Sequence, residues 1–296
     1  MLKHADLALY EAKASGRGAF RLYNASMWSS MRLRGDMLSI AAAALDGDFV
    51  QPFYQPKIDL QSNAIIGFEA LLRCCLPGRE PKAAGCIAAA FEDSTLAVKL
   101  SDRMVDGVIR DILGWQAAGL TFGHVAINAA LAELRRGDFA ERLLGKLRAA
   151  GIAPECIQVE VTESVLLGQA IEHVERTFNE LAQAGIKLAL DDFGTGFASL
   201  THLKRFPIEI IKIDRSFIRD LQIDAEDGAI VDAVVGLGRA LKIQVVAEGI
   251  ETVMQHDFLS ALGCAVGQGY LFGSALPADR IAELLAKRVT TPKLAA

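Results

Sequence analysis

Cysteine is scarce, and its spacing suits none of the work cysteine usually does. Cys74, Cys75, Cys86, Cys156 and Cys264 are five residues, an odd number with no CxxC pair, which excludes a disulfide framework and a cysteine zinc site. The adjacent Cys74 and Cys75 read as two small apolar residues rather than a redox pair, and the set as a whole suits a reducing cytoplasm. His4, His124, His173, His202 and His256 lie apart, without the spacing of metal ligands. Excess positive charge is missing too. A formal net charge of −5 argues against DNA or RNA as a polymeric partner, so an anionic ligand needs metal ions or a few local basic side chains. No apolar run reaches the roughly 18 residues of a membrane span, and no charged-then-apolar leader precedes residue 30. The expectation is a cytoplasmic chain without a membrane segment of its own; a longer parent protein is free to be anchored through other parts.

Apolar residues are plentiful. They make up 52% of 296 residues, enough for one (β/α)8 barrel of about 250 residues plus an appendage. Short β-branched runs recur at Phe53–Leu60, Ala64–Arg73, His124–Asn128, Ile157–Glu163, Lys187–Asp192, Ile208–Asp214, Ile243–Glu248 and Ala265–Tyr270. Helical patterns separate most of them, over Asp93–Ala118, Leu131–Ala150, Gly168–Ala184, Ala198–Arg205, Asp227–Leu241, Thr252–Leu262 and Ala278–Lys287. Several of these helices stop at a glycine, as at Gly119, Gly151, Gly185 and Gly263, which suits the position just past a helix end. Strand alternating with helix predicts a parallel sheet. The first two runs are separated only by Gln61, Ser62 and Asn63, a link short enough for a hairpin. The predicted fold is therefore an α/β class, modified (β/α)8 TIM barrel with one antiparallel strand.

Ahead of the barrel, Met27–Leu45 predicts a helix with Leu38, Ala42 and Leu45 on one face. The expected divisions are residues 1–24, a helical linker over 25–50, the barrel over 51–290 and a tail over 291–296.

Nearly every strand run ends in a carboxylate, an amide or a lysine: Glu69, Asn128, Glu160, Asp191 with Asp192, Lys212, Glu248 and Gln268. In a closed barrel these ends converge on one mouth, where barrel enzymes place their chemistry. Five carboxylates with two amide carbonyls make a hard-oxygen cation site. Asp191 and Asp192 stand at a strand end, where alternation sends neighbours to opposite sides, and the glycines after them let the loop bend close to a ligand. A helix N-cap and turn account for Asp192 equally well. In Glu160-Val161-Thr162-Glu163, alternation gives Glu160 to the metal and Glu163 to bracing a neighbouring loop. Glu248 and Glu251 repeat that pattern, although a glutamate there also suits the start of a helix. Lys212 is flanked by Ile210, Ile211 and Ile213, and a lysine in such a strand is costly to bury unless it meets carboxylates. It is expected to enter the site and position the attacking water.

These residues carry a resemblance. From about Phe53 to Lys287 the chain resembles the EAL domain. The matching motifs, in order, are Tyr54-Gln55-Pro56, Phe68-Glu69-Ala70-Leu71-Leu72-Arg73, Glu160 through Glu163 and Asp191 through Gly196. Ile211 through Asp214, Ala247-Glu248-Gly249 and Gln268-Gly269-Tyr270 follow. The resemblance implies a phosphodiesterase that hydrolyses cyclic di-GMP to linear pGpG by two-metal activation of water. Glu69, Asn128, Glu160, Asp191, Asp192 and Glu248 would hold two Mg²⁺ or Mn²⁺ ions. Glu69, Asp191, Lys212 and Glu248 would be catalytic. Gln55, Arg73 and Gln268 would touch substrate, and Glu163 and Glu251 would support loops tied to a homodimer. Where the family often has an apolar loop, this chain has the alanine-rich Pro77–Ala90, and Ala129 and Ala130 follow Asn128 in place of a more common Leu-Ser; none of these departures removes a ligand.

Residues 1–24 resemble the tail of a GGDEF diguanylate cyclase domain, through Ala5–Lys13 and Gly16-Arg17-Gly18. The cyclase motif itself is absent, so no cyclase activity is expected. Two other readings compete for the barrel: a cyclic di-GMP receptor that no longer hydrolyses, and an unrelated metal barrel such as an enolase-like lyase. The second leaves the Glu69 motif unexplained.

Overall fold

A computed structural model describes residues 22, 24–166, 171–196, 200–221 and 225–290. The GGDEF-like motifs at residues 5–18 and the tail at 291–296 lie outside them. The chain enters as helix α1 (Ala25–Asp46), whose first turn is capped by the Asn24 side chain accepting from the Met27 amide. An N-cap oxygen there satisfies one of the amides a helix start leaves without a partner.

Strands β1 (Val50–Asp59) and β2 (Ile65–Cys74) form the expected hairpin. Its turn is fixed by Asp59 Oδ1, which accepts from the Ser62 amide at 2.7 Å. Parallel strands follow as β4 (His124–Asn128), β5 (Ile157–Thr162), β6 (Lys187–Phe193), β7 (Ile208–Ile213), β8 (Gln244–Ala247) and β9 (Val266–Gly267). Strand β1 pairs antiparallel with both β2 and β9, which closes an eight-stranded barrel. It is therefore the reversed strand. A two-residue strand β3 (Lys82–Ala83) pairs with the end of β2 outside the barrel. The last strand run shrinks to Val266–Gly267; Gln268 follows it, held in line by its amide donating to the Ala247 carbonyl at 2.9 Å.

Alternation divides each strand. Phe68, Ala70, Val125, Ile127, Val159, Val161, Leu188, Leu190, Ile211, Ile213, Val245 and Ala247 face the surrounding helices in the main core. Ala189, Ile210, Val246 and Val266 form a separate small cluster inside the barrel. Trp115, from helix α2 (Ser94–Ala117), packs against Tyr54, Phe68 and Phe122. Each fully buried side chain of this kind is worth about 1.5–3 kcal/mol. Helix α1 lies on a third apolar cluster, Ala41 and Ala44 meeting Val50, Leu72, Cys74, Ile87 and Leu100.

The helix predicted over Leu131–Ala150 is two helices, α3 (Leu131–Leu134) and α4 (Phe139–Ala150). Gly137 between them has φ +75°, a left-handed geometry that ends a helical turn.

Candidate functional site

Inward positions at one level of the barrel form a ring with one polar residue per strand. Its members are Gln55, Glu69, Asn128, Glu160, Asp191 and Lys212, with Glu248 and Gln268 directly after β8 and β9. Registry sets this level: Gln55 lies opposite Glu69, and Asn128 opposite Glu160. Glu69 is not at the end of its strand, because β2 runs on to Cys74; its place in the ring comes from the hairpin register.

The ring is internally bonded. Asn128 Nδ2 donates to Glu69 Oε1 at 2.9 Å, and Gln268 Nε2 donates to Glu69 Oε2 at 2.7 Å and to Gln55 Oε1 at 3.0 Å. At the centre stands the ammonium of Lys212, 1% exposed. It pairs with Glu160 Oε2, and reaches Glu248 Oε1 at 2.6 Å, Asp191 Oδ1 at 3.1 Å and Glu69 Oε2 at 3.5 Å.

Asp191 and Asp192 do not point to opposite sides. The β6–β7 register slips between Leu190 and Phe193, and Asp192 has φ +54°. That twist brings carboxylate oxygens of Asp191, Asp192 and Glu248 within 4.8 Å of one another, next to a second such group of Glu69, Glu160 and Asp191. A left-handed aspartate inside a strand is unfavourable on its own, and it sits next to Asp191, the residue the two groups share.

Burial and mutual repulsion govern the charges. Burial, with Glu160 nearby, pushes the Glu69 carboxyl up. Burial also raises Asp191, raises Asp192 with help from Asp214, and lifts Glu248 to about 8. For Glu160 burial acts upward as well, but Lys212 and Lys57 outweigh it and hold the group at about 2. Burial disfavours the Lys212 ammonium, yet Glu160, Glu248, Glu69 and Asp191 keep it charged well above the ordinary range. Five carboxyl groups share two ammonium groups, and the raised carboxyls show that their full ionisation is opposed in the absence of further positive charge. Hard divalent cations fit this donor set, which offers carboxylate and amide oxygens and neither thiol nor imidazole.

The ring opens into a cleft of about 410 Å³ that also involves Leu71, Asp214, Arg215, Gly249, Glu251 and Tyr270. Gly249 has φ +72°, and a Cβ there would lie 2.5 Å from Arg215 Cβ, so the Glu248 loop presses against the Asp214–Arg215 turn. Arg73 stands apart from this cleft. Its guanidinium lies over the Phe53 ring at 5.9 Å and donates to the Leu72 carbonyl. Glu163 also sits outside, buried, with Oε1 accepting from the Gly194 amide at 2.9 Å.

Beside the acidic cleft lies a mainly apolar cavity, also of about 410 Å³, between β2, α2 and the loop after β4. Leu71 borders both spaces, and Asn128 reaches the cavity from the ring. The alanine-rich segment contributes Ala84, and Phe91 follows at the rim.

Sequence reasoning passed over Lys57, Asp214 and Arg215. Lys57 was within reach of the argument used for Lys212, since it shares a strand face with Gln55 and lies in an apolar run. Asp214 belongs to a motif already noted but was given no role of its own; it caps the helix Arg215–Arg219 by accepting from the Ser216 amide.

A family model of the EAL domain matches residues 39–275. The bifunctional diguanylate cyclase/cyclic di-GMP phosphodiesterase MucR of Pseudomonas aeruginosa is 33% identical over 281 residues, 95% of this chain and 41% of that protein. The signaling protein YkoW of Bacillus subtilis is 29% identical over 285 residues, 96% of this chain and 35% of that protein. The chain thus spans less than half the length of these two curated relatives. Among solved structures, a PaMucR phosphodiesterase complex with c-di-GMP superposes with a TM-score of 0.78 at 34% identity, covering 83% of this chain and 99% of that one. The EAL enzyme Bd1971 bound to cAMP and cyclic di-GMP gives a TM-score of 0.80 at 26% identity, covering 96% and 74%.

Proposed function

The chain belongs to the EAL domain family, and on that premise we propose that it hydrolyses cyclic di-GMP to linear pGpG in a metal-dependent reaction. The observation that carries this reading is the ring: every strand of the barrel supplies a polar side chain, and none of the five carboxylates is lost. Glu69, Asn128, Glu160, Asp191, Asp192 and Glu248 would hold two Mg²⁺ or Mn²⁺ ions. When bound, such ions activate water and neutralise charge on a phosphodiester.

The chain's own residues do the rest. The Lys212 ammonium, already among four carboxylates, orients water and stabilises negative charge developing at phosphorus. Gln268 and Gln55, bonded to each other, present amides to the substrate at the cleft wall. Arg73, two residues beyond Leu71 on the same strand face, suits a phosphate through its planar fork. The apolar cavity beside the cleft suits a flat purine base, with the phosphodiester lying over the ring. Glu163 holds the loop after β6 through Gly194, and Glu251 lies at the cleft edge; both would support a homodimer of the barrel. Residues 1–24 would be the tail of a GGDEF domain in a longer cytoplasmic signalling protein.

The test is incubation of the chain with cyclic di-GMP and Mg²⁺ or Mn²⁺, with pGpG followed by chromatography. Product that disappears on adding EDTA supports the enzyme. Tight binding of cyclic di-GMP with no product would make the chain a receptor instead.

A further inference from the structure

One level below the polar ring, the inward positions are Lys57, Gly67, Ala126, Gln158, Ala189, Ile210, Val246 and Val266. This floor is small and apolar except on one side, and Lys57 is its one charged member. A buried lysine needs a partner, and Lys57 has found one above it. Its Nζ donates to Glu160 Oε1 at 2.6 Å and to Gln158 Oε1 at 3.3 Å. Lys57 is 1% exposed and Glu160 fully buried.

Glu160 is therefore held at both oxygens by different lysines, and the two differ in what they can give up. Lys212 shares its ammonium among four carboxylates and stands in the space between the two acidic groups. A cation arriving there competes with it directly for Glu160 Oε2. Among the described residues Lys57 makes its one ion pair with Glu160, from the floor side, away from the cleft. Oε1 stays occupied whatever enters from the mouth.

We propose that Lys57 is a positioning residue for the cation site: it reserves Glu160 Oε1, so that this carboxylate offers a cation one oxygen, and its fixed positive charge keeps cation binding on that side of the ring weak enough to exchange. The inference rests on the metal-dependent reading above. Electrostatics gives its sign. A unit charge a few ångströms from a divalent cation, in a partly screened interior, opposes binding by more than tenfold. Removing Lys57 should therefore tighten cation binding while freeing Glu160 to move. A side chain that served only to fill the floor would do the reverse, since its loss would loosen the site and weaken binding.

The experiment titrates Mn²⁺ into the full chain by calorimetry, for the unaltered protein, Lys57→Met and Lys57→Gln, with circular dichroism to verify folding. Lys57→Met keeps most of the length of the side chain without charge. Lys57→Gln keeps a donor without charge, so it decides the question if Lys57→Met does not fold. The expected result is Mn²⁺ binding at least about tenfold tighter in the folded variants. With cyclic di-GMP, kcat should fall in Lys57→Met and be partly restored in Lys57→Gln, with KM little changed. Folded variants whose Mn²⁺ affinity is unchanged or weaker overturn the role of Lys57 and leave the phosphodiesterase reading standing. No Mn²⁺ binding by the unaltered protein overturns both.

Discussion

Glu69 accepts two amide donors, from Asn128 and Gln268, and lies 3.5 Å from Lys212. Replacing it with alanine removes the oxygens, takes the acceptor from the Asn128 amide and leaves Gln268 with Gln55 alone. Loss of a residue that merely orients a metal ligand costs about 10–100-fold, so Glu69→Ala, acting on a ligand itself, should lower pGpG formation by more than about a hundredfold while the circular dichroism spectrum is retained. A near-normal rate would remove Glu69 from the ligand set. His124, at the foot of β4, tests the barrel floor instead. Its Nε2 is buried without a hydrogen bond, and a Cβ on Gly67 would lie 2.5 Å from its ring. Burial, with Lys57 nearby, lowers its pKa from 6.5 to about 4. Between those values the unfolded chain binds a proton that the folded chain refuses, so this stabilisation is complete above pH 6.5 and fades as pH falls toward 4. His124→Gln removes that dependence. Urea titrations should show the variant gaining about 3 kcal/mol on the unaltered protein between pH 6.5 and 4. The comparison must be a difference, because Glu133, held up at about 7, and Glu248, at about 8, favour the folded state at low pH. A pH-independent difference would mean that His124 titrates normally.

Among the elements, the start of the segment after β6 lies close against Glu163. The Gly194 amide donates to Glu163 Oε1, and a Cβ on Gly196 would lie 2.2 Å from Glu163 Oε2, so both glycines lie directly against this carboxylate. Glu163→Ala should reduce turnover by about tenfold, the scale of an outer support for metal ligands, with a smaller change in melting temperature; unchanged kinetics would show that the loop needs no such brace. The residues that build the site were legible because they place carboxylates, amides or a lysine in or just after runs rich in apolar residues. Lys212 among three isoleucines is the plainest case. The twist at Asp192 was not legible, since nothing in the residue type announces a positive φ inside a strand. Nor was the division of Leu131–Ala150, where an apolar pattern continues across Gly137. The short β9 escaped for a different reason: two residues suffice when β1 and β8 hold the chain on either side.

For the molecule as a whole, the clustered carboxyl groups of the ring link stability to cations. The unfolded chain has no such array, so ions that bind the folded barrel raise its stability by mass action. Mn²⁺ at about a hundred times its dissociation constant should add about 2.7 kcal/mol, a rise of roughly 4–5 °C in melting temperature for a chain of this size. EDTA should reverse it, and a melting temperature indifferent to both would count against a cation site. The barrel's closure was foreseen in outline, since the three-residue link between the first two strands requires one reversal.

That reversal has an effect on how the barrel is wired to its surroundings. An all-parallel barrel receives its chain at the base, opposite its chemistry. Here β1 runs the other way, so Val50 lies level with Cys74 on the mouth side, and the incoming helix α1 ends there. Arg34 of that helix pairs with Glu92 at the edge of the apolar cavity. A pull or twist applied through α1 is therefore delivered to the rim of the mouth without crossing the barrel.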